Sequence, residues 1–226
     1  MLFDAVGTLI ALREPVGESY GQLARAFGVN VSAGRLEEAF GRIFSGAPPM
    51  AFPGRSPEEA AREERAWWRD RVRETFRAAD QMQQFDDFDG FFERLWSHFS
   101  EPTAWRVLPG ARSVLDRLAE RGHPLAMVSN FDLRLPRLLD ALSLAKRFDV
   151  ILLPGHCGFA KPDPRIFHEA CARLDRAPER CTYVGDHPDH DVAGAIAAGL
   201  QAIDVGTLAT LHELVPRIER DEGGSA

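Results

Sequence analysis

The chain has 226 residues, 45% hydrophobic and 27% charged, with a formal net charge of −7 at pH 7. This length suits one domain with an insertion or two small domains, with enough core to stand without disulfide or metal staples. The acidic balance leaves no basic footprint for nucleic acid and no apolar run approaches the ~20 residues of a membrane span, so neither partner is expected.

The first element is Leu2-Phe3-Asp4-Ala5-Val6, which reads as a buried strand. Only three residues precede Asp4, while typical strands run ~5–6 residues. The chain is therefore expected to begin late within this strand, through a late start codon or trimming. From about residue 14 to 100, helical periodicity replaces strand signals. Glu58 to Ala79 is rich in helix formers, with Trp67, Val72 and Phe76 recurring near helical spacing. Trp67 and Trp68 are adjacent, so they face different ways and one is expected in a helical core. Gly46–Met50 and Phe52–Arg55 read as loops inside the same segment.

Beyond residue 100, strands and helices alternate. Pro109 is expected to open a helix with Val114, Leu115 and Leu118 inward, closed by Gly122. Leu125–Asn130, Val150–Pro154, Thr182–Asp186 and, more weakly, Ala202–Val205 read as strands covered on both faces. Asp163 is placed to cap a helix with Pro164 first and Ile166, Phe167, Ala170 and Leu174 inward. Another helix is expected from about Asp191 to Ala198, stopped by Gly199. His187, Asp189 and His190 read as a polar loop before it. Asp221–Ala226 reads as a frayed polar tail.

This alternation predicts an α/β fold, a doubly wound parallel sheet. Residues 1–13 and 101–226 would form the core, with a helical insertion at 14–100. The cysteines, Cys157, Cys171 and Cys181, form no CxxC spacing, and no signal peptide is visible. A reduced, cytoplasmic protein is expected. The sequence carries no signal for oligomeric state.

In an open parallel sheet, ligands bind beyond the carboxyl ends of the strands. Those ends are Asp4, Ser129-Asn130 and Asp186, and Lys161 lies in the loop after Leu153. The surrounding residues sharpen this convergence. Phe3-Asp4-Ala5-Val6-Gly7-Thr8-Leu9 resembles the first motif of the haloacid dehalogenase superfamily, and Val128-Ser129-Asn130 its second. Lys161-Pro162-Asp163-Pro164 with Ile166-Phe167 is similar to the third motif, and Val184-Gly185-Asp186 with Asp191 and Gly194-Ala195 to the fourth. Glu14–Tyr20, Trp67-Trp68, Ser129–Asp132 and Phe159–Arg165 further resemble the REG-2-like branch.

The resemblance implies a Rossmann-like core with an inserted helical cap of the C1 type. It implies a Mg²⁺-dependent hydrolase, most simply a phosphatase acting on a small phosphorylated metabolite through an aspartyl phosphate. Asp4 would be the nucleophile and Lys161 the neutralising cation. Thr8, Ser129 and Asn130 would hold substrate. Asp4, the backbone carbonyl of Val6 and Asp186 would ligate Mg²⁺, with Asp191 orienting the metal's waters.

The departure is Val6. Phosphatases of the superfamily usually carry a second Asp there, which moves a proton to the leaving group. General acid–base help is worth roughly 10²–10⁴ in rate, so turnover is expected to be slow. The rival readings are a catalytically inactive binding protein of the same fold and, less favoured, a haloacid dehalogenase. Against the latter stands Asp186, the metal-binding residue that dehalogenases lack.

Overall fold

The computed structural model describes residues 1–223. Its strands are β1 (Leu2–Phe3), β2 (Ile10–Leu12), β3 (Trp105–Val107), β4 (Ala126–Val128), β5 (Val150–Leu152), β6 (Thr182–Gly185) and β7 (Gln201–Asp204). Its helices are α1 (Val16–Arg25), α2 (Ala33–Ser45), α3 (Pro57–Ala78), α4 (Phe88–Ser100), α5 (Ala111–Glu120), α6 (Leu135–Ala141), α7 (Pro154–Cys157), α8 (Pro164–Arg173), α9 (Gly194–Ala197) and α10 (Leu214–Gly223). The chain divides into two compact units.

The first unit comprises Met1–Ala11, Ala51–Pro57 and Val107–Ala226. Its parallel sheet runs β5-β4-β1-β6-β7, an α/β Rossmann-like arrangement flanked by helices. β1 is short but central, with Leu2 facing Ala126 on one side and Tyr183 on the other. The strand order reverses at β1, because β4 and β5 fill one side before the chain crosses to β6 and β7. That crevice is where an open α/β sheet gathers functional groups.

Leu2, Ala126, Val128 and Tyr183 pack with Ile166, Phe167 and Ala170 of α8 in one buried cluster. α8 starts where the sequence places it, since the Asp163 carboxylate accepts the Arg165 amide at 3.0 Å and Pro164 follows. α5 starts at Ala111 rather than Pro109, because Gly110 adopts a φ of +84° and occupies the cap.

Residues 51–57 cluster with the sheet unit, although the sequence reads them as part of the insertion. Gly158 explains their approach: its φ is +78°, and a Cβ there would strike Pro53 at 2.7 Å. The helix expected from Asp191 is instead a π-helix over Pro188–Ala193 followed by α9. His187 is its pivot: its carbonyl accepts the amides of both Asp191 and Val192, the latter an i→i+5 bond. Such π turns concentrate at functional sites. Of the polar tail expected over Asp221–Ala226, residues 221–223 belong to α10, and residues 224–226 lie outside the described residues.

The second unit comprises Leu12–Met50 and Glu58–Arg106 and contains α1, α2, α4 and nearly all of α3. Aromatic residues dominate its core, with Tyr20 stacked on Phe76 at 6.1 Å and Phe91 edge-on to Phe76 at 5.1 Å. Trp68 packs against that core, while Trp67 turns its indole N–H to the Pro48 carbonyl. The described residues contain no helix long and apolar enough to cross a membrane.

Candidate active site

The site lies wholly in the sheet unit, at the carboxyl ends of β1, β4 and β6. Asp4 follows β1 directly, and its amide donates to Val184 O at 2.9 Å, which continues the sheet pairing by one residue. Ser129 follows β4, and its hydroxyl reaches the Asp4 carboxylate. Asp186 follows β6. Lys161 comes from the loop between α7 and α8 and is 4% exposed.

The Lys161 ammonium is the hub. Its Nζ donates to Asp4 Oδ1 at 2.7 Å, Asp191 Oδ1 at 2.6 Å and the Tyr183 hydroxyl at 2.7 Å. Asp191 spends its other oxygen on the main chain, where Oδ2 accepts the amides of Asp186 at 3.1 Å and His187 at 3.0 Å. Both oxygens of Asp191 are thus engaged by the protein, and Oδ2 ties down the loop that carries Asp186.

Asp4, Asp186 and Asp191 each bring a carboxylate oxygen within 4.8 Å of the others; Asp186 is exposed and the other two are buried. Such proximity among anions has the expected electrostatic result. Burial pushes the Asp4 carboxyl above its ordinary range and Asp191 adds to this, while Lys161 pulls it back. Asp186 is raised too, first by the partial withdrawal of its carboxyl from water and then by Asp4 and Asp191. Asp191 is lowered: burial opposes ionisation, but the Lys161 ammonium and the backbone donors outweigh it. Burial disfavours the Lys161 ammonium as well, yet Asp4 and Asp191 hold its pKa above the ordinary value.

The side chains expected at the substrate have definite protein partners. Asn130 clasps the main chain of Lys161, its Nδ2 donating to Lys161 O at 2.8 Å and its Oδ1 accepting Lys161 N at 2.7 Å. Thr8 donates to Asp186 Oδ1 at 3.3 Å. Val6 presents a side chain that is 37% exposed and carries no proton donor. Gly7, at φ +88°, leaves room for Asp186, since a Cβ there would collide with that carboxylate.

Tyr183 is a site residue that sequence reasoning passes over. A phenol within an apolar strand does carry a signal, because a buried hydroxyl needs a partner. Nothing in the strand itself says that the partner is Lys161, 22 residues upstream.

Residues 1–199 match the sequence profile of haloacid dehalogenase-like hydrolases. The chain belongs to the haloacid dehalogenase-like hydrolase family. Among this family, it is 34% identical over 243 residues to haloacid dehalogenase-like hydrolase domain-containing protein 3 of Bos taurus, covering 100% of this chain and 96% of that protein. It is 38% identical over 107 residues to phosphoserine phosphatase of Thermus thermophilus, covering 46% of this chain and 43% of that one. A crystal structure of a phosphatase of this superfamily from Thermococcus onnurineus shares the fold, with a TM-score of 0.61 and 24% identity over 92% of this chain and 86% of that chain.

Proposed function

We propose that the protein is a Mg²⁺-dependent phosphatase acting on a small phosphorylated metabolite, with Asp4 as nucleophile. The supporting observation is the pairing of the Asp4 carboxylate, at the end of the central strand, with the Lys161 ammonium at 2.7 Å. The partial likeness to a phosphoserine phosphatase points the same way.

The residues fit a hard divalent cation. Three carboxylates cluster around one ammonium that pairs with two of them, and Asp4 and Asp186 are pushed toward protonation by burial and by the neighbouring carboxylates. Asp4 and Asp186, with the backbone carbonyl of Val6, would hold Mg²⁺, which takes oxygen ligands and keeps several waters. When bound, it would neutralise the nucleophile and the phosphoryl oxygens.

The chain's own groups do the rest. A carboxylate oxygen of Asp4 attacks phosphorus, the P–O bond to the leaving group breaks, and an aspartyl phosphate forms. Ser129 and the backbone amides after Asp4 hold phosphoryl oxygens. Lys161 offsets the charge of the nucleophile. Water then attacks phosphorus, the bond between phosphorus and the Asp4 oxygen breaks to restore the carboxylate, and phosphate leaves with the water's proton passing to it or to solvent. Asn130 fixes the Lys161 main chain, Thr8 fixes Asp186 and Asp191 fixes the Asp186 loop, so these three act as positioning residues.

Val6 supplies no proton, so the leaving group departs unassisted. Hydrolysis of p-nitrophenyl phosphate is expected to be Mg²⁺-dependent and abolished by EDTA, and an alkyl phosphate is expected to react much more slowly. In Val6→Asp the alkyl ester should gain roughly 10²–10⁴-fold. Equal rates on the two esters in the wild type would contradict this account. The same Val6 favours one second reading, a binding protein of this fold that no longer turns over; Mg²⁺ binding without any hydrolysis would support it.

A further inference from the structure

The reaction described above gives no part to Tyr183, whose phenol is fully buried in β6. Its ring packs edge-on against Phe167 of α8, 5.1 Å away at 75°, and its hydroxyl emerges among the polar groups of the site. That hydroxyl lies 2.7 Å from Val128 O and 2.7 Å from Lys161 Nζ.

A phenol has one proton to give, and a backbone carbonyl can only accept. The Tyr183 proton goes to Val128 O, the nearer of its two acceptors. Toward Lys161 the hydroxyl acts as acceptor, because an ammonium only donates. Asp191 Oδ1, 3.1 Å from the same hydroxyl, is the longer alternative acceptor for that one proton. Lys161 has three N–H donors, and Asp4, Asp191 and Tyr183 take one each.

We propose that Tyr183 is a positioning residue: by accepting the third N–H of Lys161, it closes the ammonium's shell and fixes which oxygen of Asp4 faces the phosphorus. Lys161 then gives no N–H to substrate. It acts through its charge and by pinning Asp4 Oδ1. The consequence for rate rests on the phosphatase reading; the closed shell itself does not.

The sequence offers a clean test, because the chain has only two lysines, exposed Lys146 and buried Lys161. In ¹H–¹⁵N spectra of the side-chain ammonium groups, the full chain should show one slowly exchanging signal, from Lys161. Tyr183→Phe keeps the contact with Phe167 and should still fold cooperatively. Its Lys161 signal should shift and exchange about tenfold faster or more, as expected for one lost charge-assisted hydrogen bond. With p-nitrophenyl phosphate, kcat should fall roughly ten- to a hundredfold at a KM within about twofold of wild type.

Phe167→Leu, which disturbs the packing of the same ring without touching its hydroxyl, should move neither readout. An unchanged Lys161 signal in Tyr183→Phe would overturn the proposal, as would equal losses in Phe167→Leu. If the wild type hydrolyses nothing, the phosphatase reading falls, and the ammonium signal alone still decides the role of Tyr183.

Discussion

The two units hold their side chains by opposite means. In the sheet unit, a buried ammonium, a phenol and two buried carboxylates are fixed by single hydrogen bonds, most between 2.6 and 2.8 Å, each aimed at one atom. In the helical unit, Phe76, Phe91, Phe92 and Leu95 are apolar side chains held by packing, with ring contacts at several angles. Directional bonding places a nucleophile to a fraction of an ångström, but it leaves a buried charge stranded when one partner is removed. Packing tolerates an exchange of shape because dispersion is spread over many contacts.

Replacing one residue by methionine in each unit sharpens that contrast. Lys161→Met leaves Asp4 and Asp191 buried without their cation, and it should destabilise by roughly 3–5 kcal/mol and abolish turnover. Leu95→Met, also buried, should cost less than about 1.5 kcal/mol. Urea midpoints of the two variants decide the matter. Equal losses would mean that the polar network is no more exacting than the aromatic core.

Mg²⁺ should have the next largest effect. At a hundred times its Kd a cation that binds only the folded state adds about 2.7 kcal/mol. Asp4 and Asp186 are both raised, so in metal-free protein they still hold protons at pH values where an ordinary carboxyl has lost them. The folded state then binds more protons than the unfolded one. These two groups therefore favour folding less as pH rises through the window from the ordinary carboxylate value to their raised values. Because Mg²⁺ must displace those protons, its affinity should rise with pH across the same window and then level off. Calorimetric titration over that range checks the sign, and an affinity that falls with rising pH would contradict it.

The sequence and the structure agree best where a signal is local and repeated. Continuous apolar runs mark β4, β5, β6 and β7, and Asp163 with Pro164 marks the start of α8, because capping is decided within a few residues. β2 and β3 escaped because three residues carry no period. The π turn over Pro188–Ala193 escaped because it depends on His187 accepting two amides, a choice that helical spacing does not register.

The strand-end rule and the motif spacings bring Asp4, Ser129, Lys161, Asp186 and Asp191 to the same place in the structure. What each polar side chain touches was less readable. Asn130 looks like a substrate ligand until the loop 31 residues downstream folds back onto it. Tyr183 looks like core until its hydroxyl meets Lys161.

The central claim is that Asp4 carries the phosphoryl group, and acid quenching during turnover of p-nitrophenyl phosphate with Mg²⁺ tests it most directly. Mass spectrometry of the N-terminal peptide should find phosphate on Asp4 in the wild type and none in Asp4→Asn, which should also be inactive. Turnover that persists in Asp4→Asn, or active wild type that never shows phosphate on that peptide, would contradict the account.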